Sequence, residues 1–174
     1  MKKETLKRIF NFLEEKEEHN APFKWKILNN EPITKEDLNV KGDLILTYSD
    51  IELLPEGLNV RGDLDLFGSE LTSLPKGLKV GAYLDIRYTK ITSLPKGLKV
   101  GGYLRLTGSR ITSLPNSLKV GGDLVLAWTN ITSLPKGLEV GKILYIKNSP
   151  LTKYTDQELR EMVKPGFIKE KIVR

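Results

Sequence analysis

The chain repeats itself every twenty residues. IELLPEGLNVRGDLDLFGSE begins at residue 51, LTSLPKGLKVGAYLDIRYTK at 71, ITSLPKGLKVGGYLRLTGSR at 91, ITSLPNSLKVGGDLVLAWTN at 111 and ITSLPKGLEVGKILYIKNSP at 131, and a degenerate copy, ITKEDLNVKGDLILTYSD, precedes them at 33. A unit this short cannot enclose a core of its own, so the copies must stack and share one. The period therefore predicts a solenoid over residues 33–152. Two non-repeating flanks, 1–32 and 153–174, remain to shield its ends from water, all within one structural domain.

Within each copy the L-x-L/I pairs at 44/46, 64/66, 84/86, 104/106, 124/126 and 144/146 have period two. Each reads as a short strand with both apolar residues on one face, and the repeat stacks these strands in parallel. Leu or Ile at 51, 71, 91, 111, 131 and 151, Leu at 54, 74, 94, 114 and 134, Leu at 58, 78, 98, 118 and 138, and Val at 40, 60, 80, 100, 120 and 140 point into one continuous core. Pro55, Pro75, Pro95, Pro115 and Pro135 block a long helix on the outer side, and Gly57, Gly77, Gly97 and Gly137 follow two residues later at the turn.

These residues resemble the leucine-rich repeats: L-x-I-x-x-T-x-I-x-x-L-P at 84–95 and its counterparts fit the pattern L-x-x-L-x-L-x-x-N-x-L-x-x-L-P. The Leu-Pro step and short period look most like repeats of secreted bacterial effectors and of phage and bacterial proteins. The resemblance covers 33–152 and implies a six-coil solenoid, of α/β type but dominated by β, with a parallel sheet on its concave face. It also implies a bacterial or phage accessory protein that binds and inhibits or redirects a host component. Some such effectors carry a ubiquitin-ligase domain with a catalytic cysteine, and this chain has no cysteine. Where the family runs a ladder of asparagines, Ser49, Ser69, Thr89, Ser109, Thr129 and Ser149 stand instead. A hydroxyl donates one hydrogen bond where a carboxamide donates two, so this row should hold neighbouring coils less firmly.

The flanks read as helical caps. Leu6, Ile9, Phe10 and Leu13 recur at helical spacing, and Phe23, Trp25 and Ile27 are placed to cover the first coil. At the far end Thr155 and Glu158 form a capping-box pattern, followed by Leu159, Met162 and Val163 until Pro165-Gly166 stops the helix. His19, the only histidine, reads as a solvent-exposed or capping residue. With no cysteine and one histidine, disulfides, thiolate zinc sites and cysteine nucleophiles are excluded, and no metal or cofactor is expected. No run approaches the roughly 18 apolar residues of a spanning helix, and the charged start MKKETLKRIF does not read as a signal peptide, so a cytoplasmic location away from membranes is expected.

Function is sought where the copies differ. The outward strand positions form one row of Asp43, Asp63, Tyr83, Tyr103, Asp123 and Ile143, a second of Ile45, Asp65, Asp85, Arg105, Val125 and Tyr145, and a third of Thr47, Phe67, Arg87, Thr107, Ala127 and Lys147. Tyr48, Tyr88 and Trp128 alternate beside them with Gly68 and Gly108. Varied rows rich in Tyr, Trp and Arg suit the anchors of a protein interface. The partner-binding residues expected are Phe67, Tyr83, Asp85, Arg87, Tyr88, Tyr103, Arg105, Trp128, Tyr145 and Lys147, with Asp43, Asp63 and Asp65 as an acidic patch for orientation. Self-association through the same face is a further use of exposed aromatics.

Charge is polarised along the chain. Residues 33–70 carry 3 basic and 9 acidic side chains, whereas 71–152 carry 12 basic and 3 acidic. Such a field sets the register of a protein partner and suits a uniform polyanion poorly. Two rival readings follow. Rows Lys76, Lys96, Lys136 and Lys79, Lys99, Lys119 on an outer, convex loop would serve nucleic acid or another polyanion, though without aromatics for base stacking. Asp43, Asp63, Asp65 and Asp85 on adjacent strands would repel one another or invite a divalent cation. No histidine or nucleophile joins them and an open sheet encloses no substrate, so a catalytic role is not expected.

Overall fold

A computed structural model describes residues 23–174. The repeat builds a β-solenoid in which each copy contributes two strands of two residues. The Asn/Lys/Glu-Val step supplies β1 (Asn39–Val40), β3 (Asn59–Val60), β5 (Lys79–Val80), β7 (Lys99–Val100), β9 (Lys119–Val120) and β11 (Glu139–Val140). The Leu-x step supplies β2 (Leu44–Ile45), β4 (Leu64–Asp65), β6 (Leu84–Asp85), β8 (Leu104–Arg105), β10 (Leu124–Val125) and β12 (Leu144–Tyr145). Five twenty-residue turns carry the chain from β1 to β11.

The sequence predicts a single parallel sheet, and the fold has two. Odd-numbered strands form a valine sheet and even-numbered strands a leucine sheet, each of seven parallel strands with every residue opposite its counterpart one copy away. The valine row was read only as core. Its backbone also pairs from copy to copy, as in Lys79 N–H to Leu58 O at 3.0 Å and Gly81 N–H to Val60 O at 2.8 Å. Both sheets face inward through one side chain per strand, Val80 and Leu84 for example, because the chain bends sharply at residues 81–83 between them. In the leucine sheet the pairing runs on past the strand ends, with Ile86 N–H donating to Arg105 O at 3.1 Å.

The expected apolar rows meet in one core, and its buried members are at most 8 % exposed. Only Val40, in the degenerate first copy, is half-buried. Stacking is tightest at the bend. A Cβ built on Gly101 would lie 1.9 Å from the carbonyl oxygen of Gly81, and Gly81, Gly121 and Gly141 meet the preceding copy in the same way at 2.0–2.1 Å. Gly101→Ala is therefore expected to cost about 1–3 kcal/mol through forced separation of two turns. Urea unfolding reads this as a lowered midpoint, and a midpoint equal to wild type would show that the bend relaxes freely.

The turn after each proline takes the left-handed conformation, with φ of 73–76° at Gly57, Gly77, Gly97 and Gly137 and 58° at Ser117. The hydroxyl row does not bridge turns. Ser49, Thr89, Thr129 and Ser149 each donate to the carbonyl three residues earlier in their own copy, at 2.7–2.8 Å, closing the turn that leaves the leucine sheet. A hydroxyl on a short stem reaches its own backbone more readily than a neighbouring coil.

Before the first turn, α1 (Phe23–Leu28) buries Phe23 in the core and packs Ile27 against it. The helical face expected over Leu6–Leu13, and His19, lie outside the described residues. Lys26 of α1 is buried and donates to both carboxylate oxygens of Asp37 at 2.8–2.9 Å. After β12 a 3-10 turn (Pro150–Lys153) leads into α2 (Asp156–Met162). Its capping box forms as the sequence predicts: the Glu158 N–H donates to the Thr155 hydroxyl oxygen, while the Thr155 N–H and hydroxyl donate to the Glu158 carboxylate and hold its pKa below the ordinary value.

The C-terminal flank contributes strands as well as α2. β13 (Phe167–Ile168) joins the valine sheet beside β11 and β14 (Ile172–Val173) joins the leucine sheet beside β12. Ile168 and Ile172 take the core places that Val140 and Leu144 hold one turn earlier. Arg160 donates to the carbonyls of Ile168 and Glu170, and Arg174 pairs with Asp156 at 2.6 Å, tying this last rung to α2. Among the described residues no helix is long and apolar enough to cross a membrane.

Candidate functional site

The outward face of the leucine sheet brings together the rows in which the copies differ. At its first positions the acidic patch does structural work. Asp43 accepts the N–H of Asp63 at 2.8 Å, Asp63 accepts that of Tyr83 at 2.8 Å, and Asp123 accepts that of Ile143 at 3.1 Å. Each carboxylate thus links its turn to the next by taking a backbone donor at the bend. Asp65 accepts the N–H of Phe67, two residues on. The four aspartates expected to repel or chelate are distributed among such donors, and among the described residues no group of three or more His, Asp or Glu side chains is gathered to hold a metal ion.

Asp85 departs from its expected role as a contact residue, because it is only 7 % exposed. Arg87 covers it, with Nε 2.9 Å from both carboxylate oxygens and one terminal nitrogen at 2.6 Å. That hydrogen-bonded pairing raises the Arg87 pKa above its ordinary value, so Arg87 stays charged but neutralised. The guanidinium also lies 4.9 Å from the centre of the Phe67 ring. Arg105 sits opposite Asp85 in register. Its guanidinium lies over the Tyr83 ring at 5.5 Å, and among the described residues it forms no ion pair.

Tyr83 and Tyr103, one turn apart, stack at 4.7 Å with a 38° tilt, and Lys142 approaches the Tyr103 ring. The two tyrosines, with Arg87, Arg105, Thr107, Asp123, Val125 and Tyr145, line a shallow depression of about 510 Å³. Arg105, which has no carboxylate partner among the described residues, stands there among three phenol rings. Tyr83 is 37 % exposed, whereas Tyr103 and Tyr145 are half-buried. Of the residues expected to bind a partner, Tyr83, Arg87, Tyr103, Arg105 and Tyr145 converge here, and Thr107, Asp123 and Val125 of the same outward rows join them. Phe67 and Lys147 lie on the same face outside the depression.

Tyr88 and Trp128 belong to the edge of this face, where Tyr48, Gly68, Tyr88, Gly108, Trp128 and Asn148 all adopt positive φ, between 51° and 68°. A side chain in that region costs about 1–2 kcal/mol that glycine avoids. The conformation persists because each of these N–H groups from 48 to 88, and again at Trp128, donates to the next turn, as Tyr48 does to Phe67 O at 2.8 Å and Trp128 to Lys147 O at 3.0 Å. The alternation with glycine has a steric cause. The Tyr48 ring leans over Gly68 and the Tyr88 ring over Gly108, where a Cβ would come within 2.6–2.7 Å of the ring. Phe67 stands edge-on between Tyr48 and Tyr88, with ring centres 5.2 and 5.5 Å away. The rings remain open to solvent, Tyr48 73 %, Tyr88 60 % and Trp128 63 % exposed. Tyr48, which was not singled out as a contact residue, is the most exposed of the three.

Lys79, Lys99 and Lys119 stand on strands of the valine sheet rather than on a loop, in register with one another. Lys119 is paired with Glu139 at 2.6 Å. Lys76, Lys96 and Lys136 are exposed on the adjoining turns. The sequence matches no protein-family model, and no curated protein shows significant similarity to it.

Proposed function

We propose that the chain is a leucine-rich-repeat-type solenoid that acts without catalysis, by binding a protein partner through the outward face of the leucine sheet. The observation that carries this reading is the depression around Arg105. A guanidinium resting on a tyrosine ring, without an ion pair among the described residues and with two more phenols beside it, supplies the anchor types that dominate protein interfaces. Seven strands at about 4.8 Å spacing make a face about 29 Å long, the scale of a standard interface. The acidic start and basic end of the repeat array give such an interface a direction. A role as a phage or bacterial inhibitor of a host component, in the cytoplasm, belongs to the same proposal and rests on the repeat pattern alone.

The test replaces Arg105 and Trp128 together by Ala. Neither side chain is core, so thermal unfolding stays within a few degrees of wild type while capture of the partner from a cell lysate is lost. Undiminished capture by the double variant would refute the outward-face reading. Polyanion binding is the second reading, favoured by Lys79 and Lys99, side by side on the valine sheet and without an ion pair among the described residues, where like charges opposite one another otherwise only destabilise.

A further inference from the structure

The exposed rings at the edge of the leucine sheet recur at every second turn, at Tyr48, Tyr88 and Trp128. Parallel strands about 4.8 Å apart place equivalent atoms two turns away about 9.6 Å apart. A polyproline II helix completes each turn in three residues of about 3.1 Å, or about 9.3 Å. We propose that this edge docks a proline-rich segment of a protein partner in the polyproline II conformation, one proline of each helical turn stacking on each ring. The inference rests on the protein-binding reading above and adds the chemistry of the segment recognised.

Three features of the row suit such a ligand. Two of its rings are held in place before binding, Tyr48 and Tyr88 leaning on Gly68 and Gly108 with Phe67 wedged between them, and the left-handed backbone fixes where each of the three leaves the chain. Rigid plates lose little freedom when a rigid ligand stacks on them. The row also carries hydrogen-bond donors, the phenol hydroxyls and the indole N–H, for the carbonyls that a polyproline II helix leaves without internal partners. Finally, two residues beyond the rings and glycines the copies carry Asp50, Glu70, Lys90 and Arg110, of which Lys90 pairs with Glu70, so among the described residues Arg110 is the cation left to meet an acidic residue of the segment towards its Trp128 end. An extended β-strand ligand fits less well. Its side chains return to one face about every 6.7 Å and fall out of step with the rings.

Glycine already occupies this position at 68 and 108, so Tyr88→Gly and Trp128→Gly remove a ring without threatening the fold, and relief of the positive φ leaves the unfolding temperature unchanged or raised. The full chain is titrated in a calorimeter with a synthetic peptide of Pro-Pro-Glu repeats and with a Gly-Gly-Glu peptide of equal length and charge. Saturable binding of the proline peptide alone is expected, weakened about tenfold by either variant, which corresponds to about 1.4 kcal/mol per ring. Trp128 fluorescence shifts on the same titration in wild type. Equal affinity for both peptides, indifference to both variants, or binding of a β-1,4-linked glucose oligomer in place of the proline peptide would overturn the proposal. If Tyr88→Gly still captures a protein partner that Arg105→Ala, Tyr103→Ala loses, the proline row fails and the protein-binding reading survives; if neither variant affects capture, both fail.

Discussion

Leu104→Ala is expected to lower the unfolding free energy by about 2–5 kcal/mol, as large-to-small changes at buried leucines do. Leu104 has no exposed surface and lies in register between Leu84 and Leu124. Truncating it opens a void shared by three turns. That void has little means of closing, because backbone bonds hold the turn on both sides: Leu84 N–H to Tyr103 O at 2.9 Å and Leu104 N–H to Asp123 O at 3.0 Å. In a stack where each turn touches only its neighbours, a weakened central interface also uncouples the two halves. Urea unfolding of this variant should therefore show an earlier and broader transition. A loss below about 1 kcal/mol would mean that the core at this turn is loosely packed.

The second large effect lies at the start of the solenoid, where Lys26→Met is expected to cost about 3–5 kcal/mol, the usual result of removing one member of a buried ion pair. The side chains of Lys26 and Asp37 are 11 % and 7 % exposed, and Asp37 also accepts the N–H and hydroxyl of Thr34 at 2.8 and 2.9 Å. Deleting the ammonium strands a carboxylate that burial already penalises. Lys26→Met combined with Asp37→Leu should recover most of the loss, because an apolar pair of similar volume replaces buried charges at little cost. The pair also predicts a pH dependence. Burial pushes the Asp37 carboxyl up, but the hydrogen bonds from Lys26 and Thr34 outweigh it and bring its pKa below the ordinary value. A carboxyl depressed in the folded state stabilises above its unfolded pKa, about 3.9, and that contribution is lost as pH falls through the lower folded value. Guanidinium titrations across this acid range should show a shallower loss for Asp37→Asn than for wild type; equal slopes would remove Asp37 from the account.

The core rows are legible in the sequence, because an apolar side chain that recurs at the same place in every copy has one place to go. Thr155 and Glu158 announced the start of α2 for an equally local reason. The second sheet was hidden because each of its strands is two residues long and carries a single inward valine, too short for any alternation to show. β13 and β14 were hidden differently: they follow β11 and β12 after 28 residues rather than twenty, with α2 in the gap, so no repeat register reaches them. Of the site, the composition of the outward rows could be read directly. Its contacts could not, since whether an aspartate at the bend repels its neighbour or takes that neighbour's N–H depends on where the next backbone passes. The alternation of aromatic residue and glycine was a visible signal of rings lying across the following turn, and the left-handed backbone beneath them was not.

The central claim, that the outward face of the leucine sheet binds a protein, is tested most directly by capture from a lysate with two opposed variants and nuclease treatment. One variant carries Tyr103→Ala and Arg105→Ala on the leucine sheet, the other Lys79→Ala and Lys99→Ala on the valine sheet. The account predicts a defined protein retained by wild type and by the lysine variant, lost by the tyrosine-arginine variant and unaffected by nuclease. Capture of nucleic acid that high salt and the lysine substitutions abolish, with the tyrosine-arginine variant behaving as wild type, would contradict it and move the binding surface to the valine sheet.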